Sequence, residues 1–380
     1  MVEKWDAVVV GAGPAGTMAA HRLAEAGMRV ALIEKERLPR SKVCGGGLVY
    51  RGRRLLPFDI TPAVEREFGH IAMYYDQYRG RLEAQRDAPA VTLVMRDAFD
   101  HLLAREAVRA GTVLRDGCAL EGLELGSEWH RLHTTAGVME TRHVVAADGA
   151  RGPTARWAGW SESRTLLPAI ECEVRVPDAD FARLSGELRF DFDSIPHGYG
   201  WNFPKQGHLS IGVGVFQKRG CSPGLKQHCL RYAQVLGVKD MDLQQMHGYV
   251  IPVGPMPVLA RQRVLLTGDA AGLADPLTAE GISQALQSGI WAAEALVQGA
   301  GDAAQTERLY QAHLEEHFMP QYRAARTLAS WCYGQPRIRD ALLRHFGPRL
   351  AGRTMDVFMG EGTYPLHIRK VISGLIRQLW

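Results

Sequence analysis

The segment Val8-Val9-Val10-Gly11-Ala12-Gly13-Pro14-Ala15-Gly16 constrains this 380-residue chain more than any other. Its apolar residues read as a buried parallel strand, and its glycines as a tight turn into a helix. Gly11 permits the turn, Gly13 lets the backbone approach a pyrophosphate, and Gly16 lets helix and strand pack closely. The helix, expected over 14–26 with Pro14 and Ala15 in its first turn, aims the positive end of its dipole at the phosphates. A second apolar strand over 29–33 runs into Glu34 and Lys35, at the spacing of a carboxylate that holds ribose hydroxyls. A lone glycine fingerprint is weak evidence. A strand, turn, helix and strand closing on an acid indicates a dinucleotide site.

The chain is too long for one compact core, which points to two intimately joined domains. With 46% hydrophobic and 23% charged residues it has a globular composition. No apolar run approaches the roughly 20 residues of a membrane-spanning helix. The N-terminus enters a strand directly, without a signal peptide, so a cytoplasmic location is expected, with peripheral attachment at the inner face of the membrane as an option. The six cysteines (44, 118, 172, 221, 229 and 332) form no CxxC pair. That argues against zinc and a disulfide framework, and no metal is expected.

Charge is unevenly spread. Residues 321–380 hold nine Arg and one Lys against Asp340, Asp356 and Glu361, a local excess of +7 where the whole chain carries +4. A second basic cluster comprises Lys35, Arg37, Arg40, Lys42, Arg51, Arg53 and Arg54. Such asymmetry suits an anionic partner, either a membrane surface or a phosphorylated substrate. No nucleic-acid-reading signature is present.

Further along, 36–56 reads as a Gly- and Arg-rich functional loop. A helix is expected over 96–110, with Phe99, Leu102, Leu103 and Ala107 on its apolar stripe. Strands follow within 113–125 and 129–145, ending at Ala147-Asp148-Gly149. Period-two alternation (Ile170, Cys172, Val174; Leu188, Phe190, Phe192; Leu209, Ile211, Val213) predicts an antiparallel sheet with one covered face. A strand over 263–267 then enters Gly268-Asp269-Ala270-Ala271-Gly272, and a long helix is expected over 278–297.

Three motifs, Gly11 to Gly16, Ala147-Asp148-Gly149 and Thr267-Gly268-Asp269-Ala270-Ala271, recur in the order of the FAD-dependent family of para-hydroxybenzoate hydroxylase fold, which the chain resembles over nearly its whole length. The resemblance implies an α/β architecture: a Rossmann-type FAD-binding domain interrupted by an antiparallel-sheet substrate domain, with a helical, basic C-terminal region. The expected segments are 1–75, 96–165 and 248–310 for the first, 76–95 and 166–247 for the second, and 311–380 for the third. It further implies that Asp269 binds the ribityl chain of FAD and that Arg96 lies near the pyrophosphate. A carboxylate accepts hydrogen bonds from a polyol, and a guanidinium bridges phosphate oxygens in a fork. By the residues alone, Asp269 also reads as a helix cap, Asp148-Gly149 as a turn, and Arg96 as a solvated helix arginine.

Two further segments narrow the resemblance. Lys42-Val43-Cys44-Gly45-Gly46-Gly47-Leu48 is similar to the lysine-x-cysteine-glycine-glycine loop of geranylgeranyl reductases. Tyr199-Gly200-Trp201-Asn202-Phe203-Pro204-Lys205 is similar to the tyrosine-x-tryptophan-x-phenylalanine-proline motif of the same group. Side-chain-free backbone permits close approach to a flat isoalloxazine, so Cys44, Gly45 and Gly46 are expected against it. Aromatic residues at a strand end offer a wall for a prenyl chain. A flexible glycine loop and an ordinary core tryptophan are the alternatives. Asp275-Pro276-Leu277-Thr278-Ala279-Glu280-Gly281-Ile282 opens the long helix; in the family this N-terminus holds negative charge on reduced flavin, which places Pro276, Gly281 and Ile282 beside the ring.

The implied activity is reduction of isolated C=C bonds in a prenyl lipid or quinone, by hydride from reduced flavin N5 and a proton from elsewhere. Cys44 is the candidate proton donor; a structural or polarising role is its alternative. An aromatic monooxygenase shares the fold, as does a flavin-dependent halogenase, against which Tyr199 stands in place of that group's first tryptophan. A flavin-binding sensor has no positive support. No second glycine fingerprint exists, so the electron donor is expected to be external, either NAD(P)H or ferredoxin-type. At the C-terminus, Ile368, Val371, Ile372, Leu375, Ile376 and Leu379 share a helical stripe with Arg369, Lys370 and Arg377 off it. This reads either as a membrane-surface helix or as a terminal helix packed on its own domain.

Overall fold

The computed structural model describes residues 2–216, 224–239 and 245–377. Cys221, Leu379 and Trp380 lie outside the described residues, as do the side chains of Arg369, Leu375 and Ile376. The opening strand, Glu3–Val10, is flanked in parallel by Val30–Glu34 and by Gly137–Ala146. Val113–Asp116 extends the sheet on one side and Val264–Leu266 on the other, both parallel. Val8 and Val9 are fully buried, as both faces of a parallel sheet must be. Because these strands run side by side, the turns after Val10, Ala146 and Leu266 are neighbours: the Ala147 amide donates to Val10 O (2.9 Å) and the Thr267 amide to Ala146 O (3.0 Å). Residues 11, 148 and 269 therefore meet at the carboxyl edge of one sheet, where open α/β sheets bind ligands.

Helix Pro14–Glu25 lies between that sheet and helix Ile282–Gly299. Close packing is enforced by missing side chains. A Cβ on Gly16 would sit 1.9 Å from Gly11 O, and one on Gly289 would sit 2.2 Å from Ala15 O. The long helix starts at Ile282, not at residue 278. Asp275 Oδ1 accepts the amides of Leu277 (2.8 Å) and Thr278 (3.0 Å), and Ala279 takes φ +57°, so 275–281 is a turn that leads into the helix.

The second sheet has seven strands, in the order Met246–Val253, Thr165–Val174, Leu209–Val215, Gly198–Pro204, Leu188–Asp191, His70–Tyr75, Gly80–Gln85. All pairs are antiparallel except Leu188–Asp191 with His70–Tyr75, which is parallel. The strands His70–Tyr75 and Met246–Val253 thus join this sheet from segments expected in the other domain. Val91–Val94, expected in the substrate domain, instead centres a small sheet with Gly47–Val49 and Val64–Phe68. Hydrogen bonding across strands that are distant in sequence decides this membership, and local pattern does not carry it.

The expectation of one covered face is also corrected. Gly198–Pro204 and Leu209–Val215 are buried at every position. One face carries Ile170, Cys172, Ile211 and Val213 against helix Leu225–Val235. The other carries Tyr199, Trp201, Phe203 and Phe216 toward the C-terminal helices, with Tyr333 and Phe358 in the same cluster. The expected loop 36–56 contains the strand Gly47–Val49 and a helical turn, Tyr50–Arg53.

The C-terminal region is helical, with Met319–Gly334, Pro336–Met359 and Ile368–Arg377 following Ala303–His313. In the last helix Ile368 and Ile372 are buried, whereas Val371 is exposed, so part of the apolar stripe is spent on the protein itself. Among the described residues no helix is long and apolar enough to cross a membrane, and no cluster of three or more His, Cys, Asp or Glu could hold a metal.

Substituting Gly289→Val should cost about 1–3 kcal/mol by overpacking the contact with Ala15. A denaturant midpoint equal to that of the parent would refute the close-contact account.

Candidate functional site

The carboxyl edge of the parallel sheet opens into a cavity of about 750 Å³ that continues under the seven-stranded sheet. At the sheet edge, Gly11 takes φ +103°, and a Cβ there would lie 2.4 Å from Ala147 O. Gly13 is different: its side-chain direction is open, with the guanidinium nitrogens of Arg40 and Arg96 next at 3.9 and 4.0 Å. Those two arginines share Asp100. Arg96 grips it bidentately at 2.8 Å on each arm, Arg40 binds it at 2.8 Å, and the carboxylate is wholly buried. The two guanidiniums are thereby held facing the first turn of helix Pro14–Glu25. Burial alone would lower the Arg96 pKa, but the Asp100 carboxylate and the adjacent Cys44 raise it, so the guanidinium stays charged.

Glu34 spends one oxygen on the Ala12 amide (2.9 Å) and the other on the Glu36 amide (3.1 Å), with Arg40 Nε at 3.5 Å. It therefore holds the glycine turn as well as lining the cavity. Lys35 is at the cavity rim with its side chain mostly exposed. Asp148 binds the Thr154 amide (2.9 Å) through one oxygen and leaves the other buried and unpartnered; burial raises its pKa. Asp269 receives the Tyr249 hydroxyl at 3.2 Å. Tyr249 also takes the Ala150 amide (3.3 Å) and carries Lys42 Nζ 3.2 Å above its ring, closing the wall next to Gly149.

At the far end the two motifs from distant parts of the chain meet. A Cβ on Gly45 would lie 3.1 Å from both Trp201 Nε1 and the Phe203 ring. Gly46, at φ +74°, lies against Val94 O. The bareness of this loop is thus used against the aromatic wall and the small sheet. Tyr199 stacks on Phe216 with centroids 4.6 Å apart and donates to Thr278 O at 2.5 Å, which ties the wall to the turn before the long helix. Gly281 and Ile282, at the start of that helix, line the cavity. Cys44 also lines it, with its amide on Glu171 Oε1 (2.5 Å) and its Sγ accepting the Gly46 amide at 3.4 Å.

Not every expected residue is there. Pro276 lines a separate cavity of about 260 Å³ together with Arg51 and Tyr364, because the Asp275 turn swings it away. Gly16 and Gly268 are buried packing positions: Gly268, at φ +53°, abuts Ala15 and Ala285 and donates to Ser288 Oγ at 2.9 Å. Pro204 closes a strand without lining the cavity. Conversely, Arg40, Asp100, Tyr249 and Glu171 belong to the site and were not expected. Arg40 stood in the basic cluster, and Glu171 alternates with the apolar Ile170 and Cys172, but neither signal names a partner.

The residues fit FAD. The gap between Gly13 and two guanidiniums suits a pyrophosphate. Glu34, on the strand end beside it, suits ribose hydroxyls. Asp148 Oδ1, Glu171 Oε2 and Trp201 Nε1 are cavity-wall residues' buried polar atoms with no partner in the protein. Arg96→Ala should weaken FAD binding by about 2 kcal/mol, the worth of a charged hydrogen bond, or roughly 30-fold in Kd. Flavin titration of the apoprotein measures this, and unchanged affinity would remove Arg96 from the phosphate cradle.

Residues 4–192 match the family model described as an FAD binding domain. The chain is 30% identical over 353 residues to digeranylgeranylglycerophospholipid reductase 1 of Methanopyrus kandleri, covering 86% of this chain and 90% of that protein. It is 27% identical over 369 residues to the chloroplastic geranylgeranyl diphosphate reductase of Arabidopsis thaliana, covering 90% and 77% of the two chains. The crystal structure of a geranylgeranyl bacteriochlorophyll reductase-like protein from Thermoplasma acidophilum superposes with a TM-score of 0.78 at 22% identity, covering 100% and 97% of the two chains. A flavin-dependent brominase shares the fold at TM-score 0.75 and 18% identity. With the FAD cradle, the glycine loop and the aromatic strand converging on one cavity, the chain belongs to the geranylgeranyl reductase family of FAD-dependent oxidoreductases.

Proposed function

We propose that this protein saturates isolated C=C bonds of a prenyl chain, in a lipid or quinone, with electrons from an external donor. The observation that carries the reading is the continuity of the cavity: the cradle at Gly13, Arg40 and Arg96 opens directly onto a wall of Phe190, Tyr199, Trp201, Phe203 and Phe216. When bound, reduced FAD supplies the hydride. The protein's own part is to hold an unactivated alkene in a dry, fixed position, which turns a bimolecular encounter into an oriented one. Edge-to-face contacts of Phe190 with Tyr199 and Phe203, at 5.6 and 5.4 Å, make that wall rigid. The bond from Tyr199 to Thr278 O fixes it relative to Gly281 and Ile282, whose helix presents its positive end to the cavity.

Cys44 stands where the loop and the wall meet. We assign its sulfur to orientation of the reacting groups, since it accepts the Gly46 amide and lies beside Arg96. Cys44→Ala keeps the backbone bond to Glu171 and should retain FAD while losing turnover roughly tenfold, about 1.4 kcal/mol of barrier. Full turnover in that variant would take the sulfur out of the chemistry.

The activity itself is tested by reducing the flavin-loaded protein anaerobically with dithionite and adding prenyl lipids. The expected result is flavin reoxidation with a gain of two hydrogens per bond reduced. No reoxidation across diphosphate, glycerophospholipid and quinone substrates would overturn the proposal. Oxygen uptake coupled to a hydroxylated aromatic product would replace it with a monooxygenase.

A further inference from the structure

Reducing a double bond takes a proton as well as a hydride, and the cavity wall holds a carboxyl group suited to give one. Glu171 sits in the middle of strand Thr165–Val174, on the face opposite Ile170 and Cys172. It is 7% exposed and lines the cavity. One oxygen, Oε1, is committed to the Cys44 amide at 2.5 Å. The other, Oε2, is buried and has no partner. A carboxylic acid uses its oxygens in this way: one accepts, the other carries the proton.

The surroundings hold that proton within reach of neutral pH. Burial raises the Glu171 pKa, and Glu173 on the same strand face raises it further. Lys205, the Cys44 amide and Lys42 pull the other way, and the balance brings it to about 7. Cys229, on the helix behind the sheet, lies across the strand from it. Next to it runs a file of polar groups toward the surface. Lys205 Nζ, on a side chain only 1% exposed, binds Glu173 Oε1 at 2.8 Å. Glu173 Oε2, on a side chain 30% exposed, meets His208 Nε2 at 3.1 Å. Burial alone would raise the Glu173 pKa, but His208 and Lys205 outweigh it and hold it low.

We propose that Glu171 is the catalytic acid of this site, and that Glu173, Lys205 and His208 form the polar file that recharges it. This rests on the reduction reading above. In the step, the Oε2–H bond breaks and its proton bonds to one alkene carbon through the π pair, leaving Glu171 a carboxylate. The other carbon takes a hydride, whose two electrons come from the reduced flavin. The carboxylate then recovers a proton from solvent by way of His208 and Glu173. An unactivated alkene needs the proton no later than the hydride, so an acid held out of water, with one oxygen already fixed, is suited to the task.

The test is Glu171→Gln, which keeps the shape and the bond to Cys44, in flavin-loaded protein. Alkene-dependent flavin reoxidation should fall by at least ~100-fold, the range of general acid catalysis. The parent rate should decline as pH rises through about 7, because the acid form is the active one, and the variant should lose that limb. Independently of turnover, infrared difference spectra should show a protonated-carboxyl band that titrates near pH 7 and is absent from Glu171→Gln. A variant with the parent's rate and pH limb would overturn the assignment, and so would the lack of such a band. If the parent itself reduced no prenyl lipid, the reduction reading would fail on its own, and the band would still decide whether Glu171 holds a proton there.

Discussion

Two distant elements close on Ala15 of the first helix, and the site depends on that contact. The long helix reaches it through Gly289 and the third turn through Gly268, whose missing Cβ would lie 3.1 Å from Ala15 Cβ, while Gly11 and Gly16 let the turn and its helix close on Ala147. Side chains at these positions would hold apart elements more than 250 residues distant in sequence. Without that approach, Asp269 would not face the same cavity as Gly13. Packing at protein density makes such a contact all-or-nothing, since a Cβ within 2.2 Å of a carbonyl oxygen cannot be absorbed by small shifts.

The electrostatics of the cavity follow from how its charges are paired. Asp100 binds both guanidiniums and orients them, so the end of the cavity at Gly13 presents two fixed cations. At the other end Glu171 faces Glu173, with Lys205 engaged by the latter. The positive end suits an anion, and the carboxylate-rich end suits proton transfer.

Much of this was legible in the chain. Gly11, Gly13, Glu34, Asp148, Asp269 and the Cys44 loop line the cavity as read, because each motif encodes a local conformation that sequence alone dictates. The departures have separate causes. The resemblance puts Pro276 beside the ring, at the opening of the long helix, but the Asp275 side chain caps a turn first. The period-two pattern suggested a half-solvated sheet, yet a face carrying Tyr199, Trp201 and Phe203 is covered by helices that follow more than 100 residues later. Glu171 was hidden by the same error, since an acid on a supposed solvent face calls for no explanation. Arg40 and Tyr249 belong to no motif and are held by partners, Asp100 and Asp269 among them, that folding supplies.

By itself, then, the sequence determined the strand-turn-helix units, the family and the cofactor, because glycine spacing, apolar periodicity and motif order are properties of consecutive residues. Tertiary structure alone decided which faces are dry, which glycines pack and which face a ligand, and which carboxyl groups meet. Burial and pairing set the charge and reach of a side chain. Both are fixed by strands such as Thr165–Val174 and Gly198–Pro204 finding neighbours across the sheet, a relation no stretch of sequence contains.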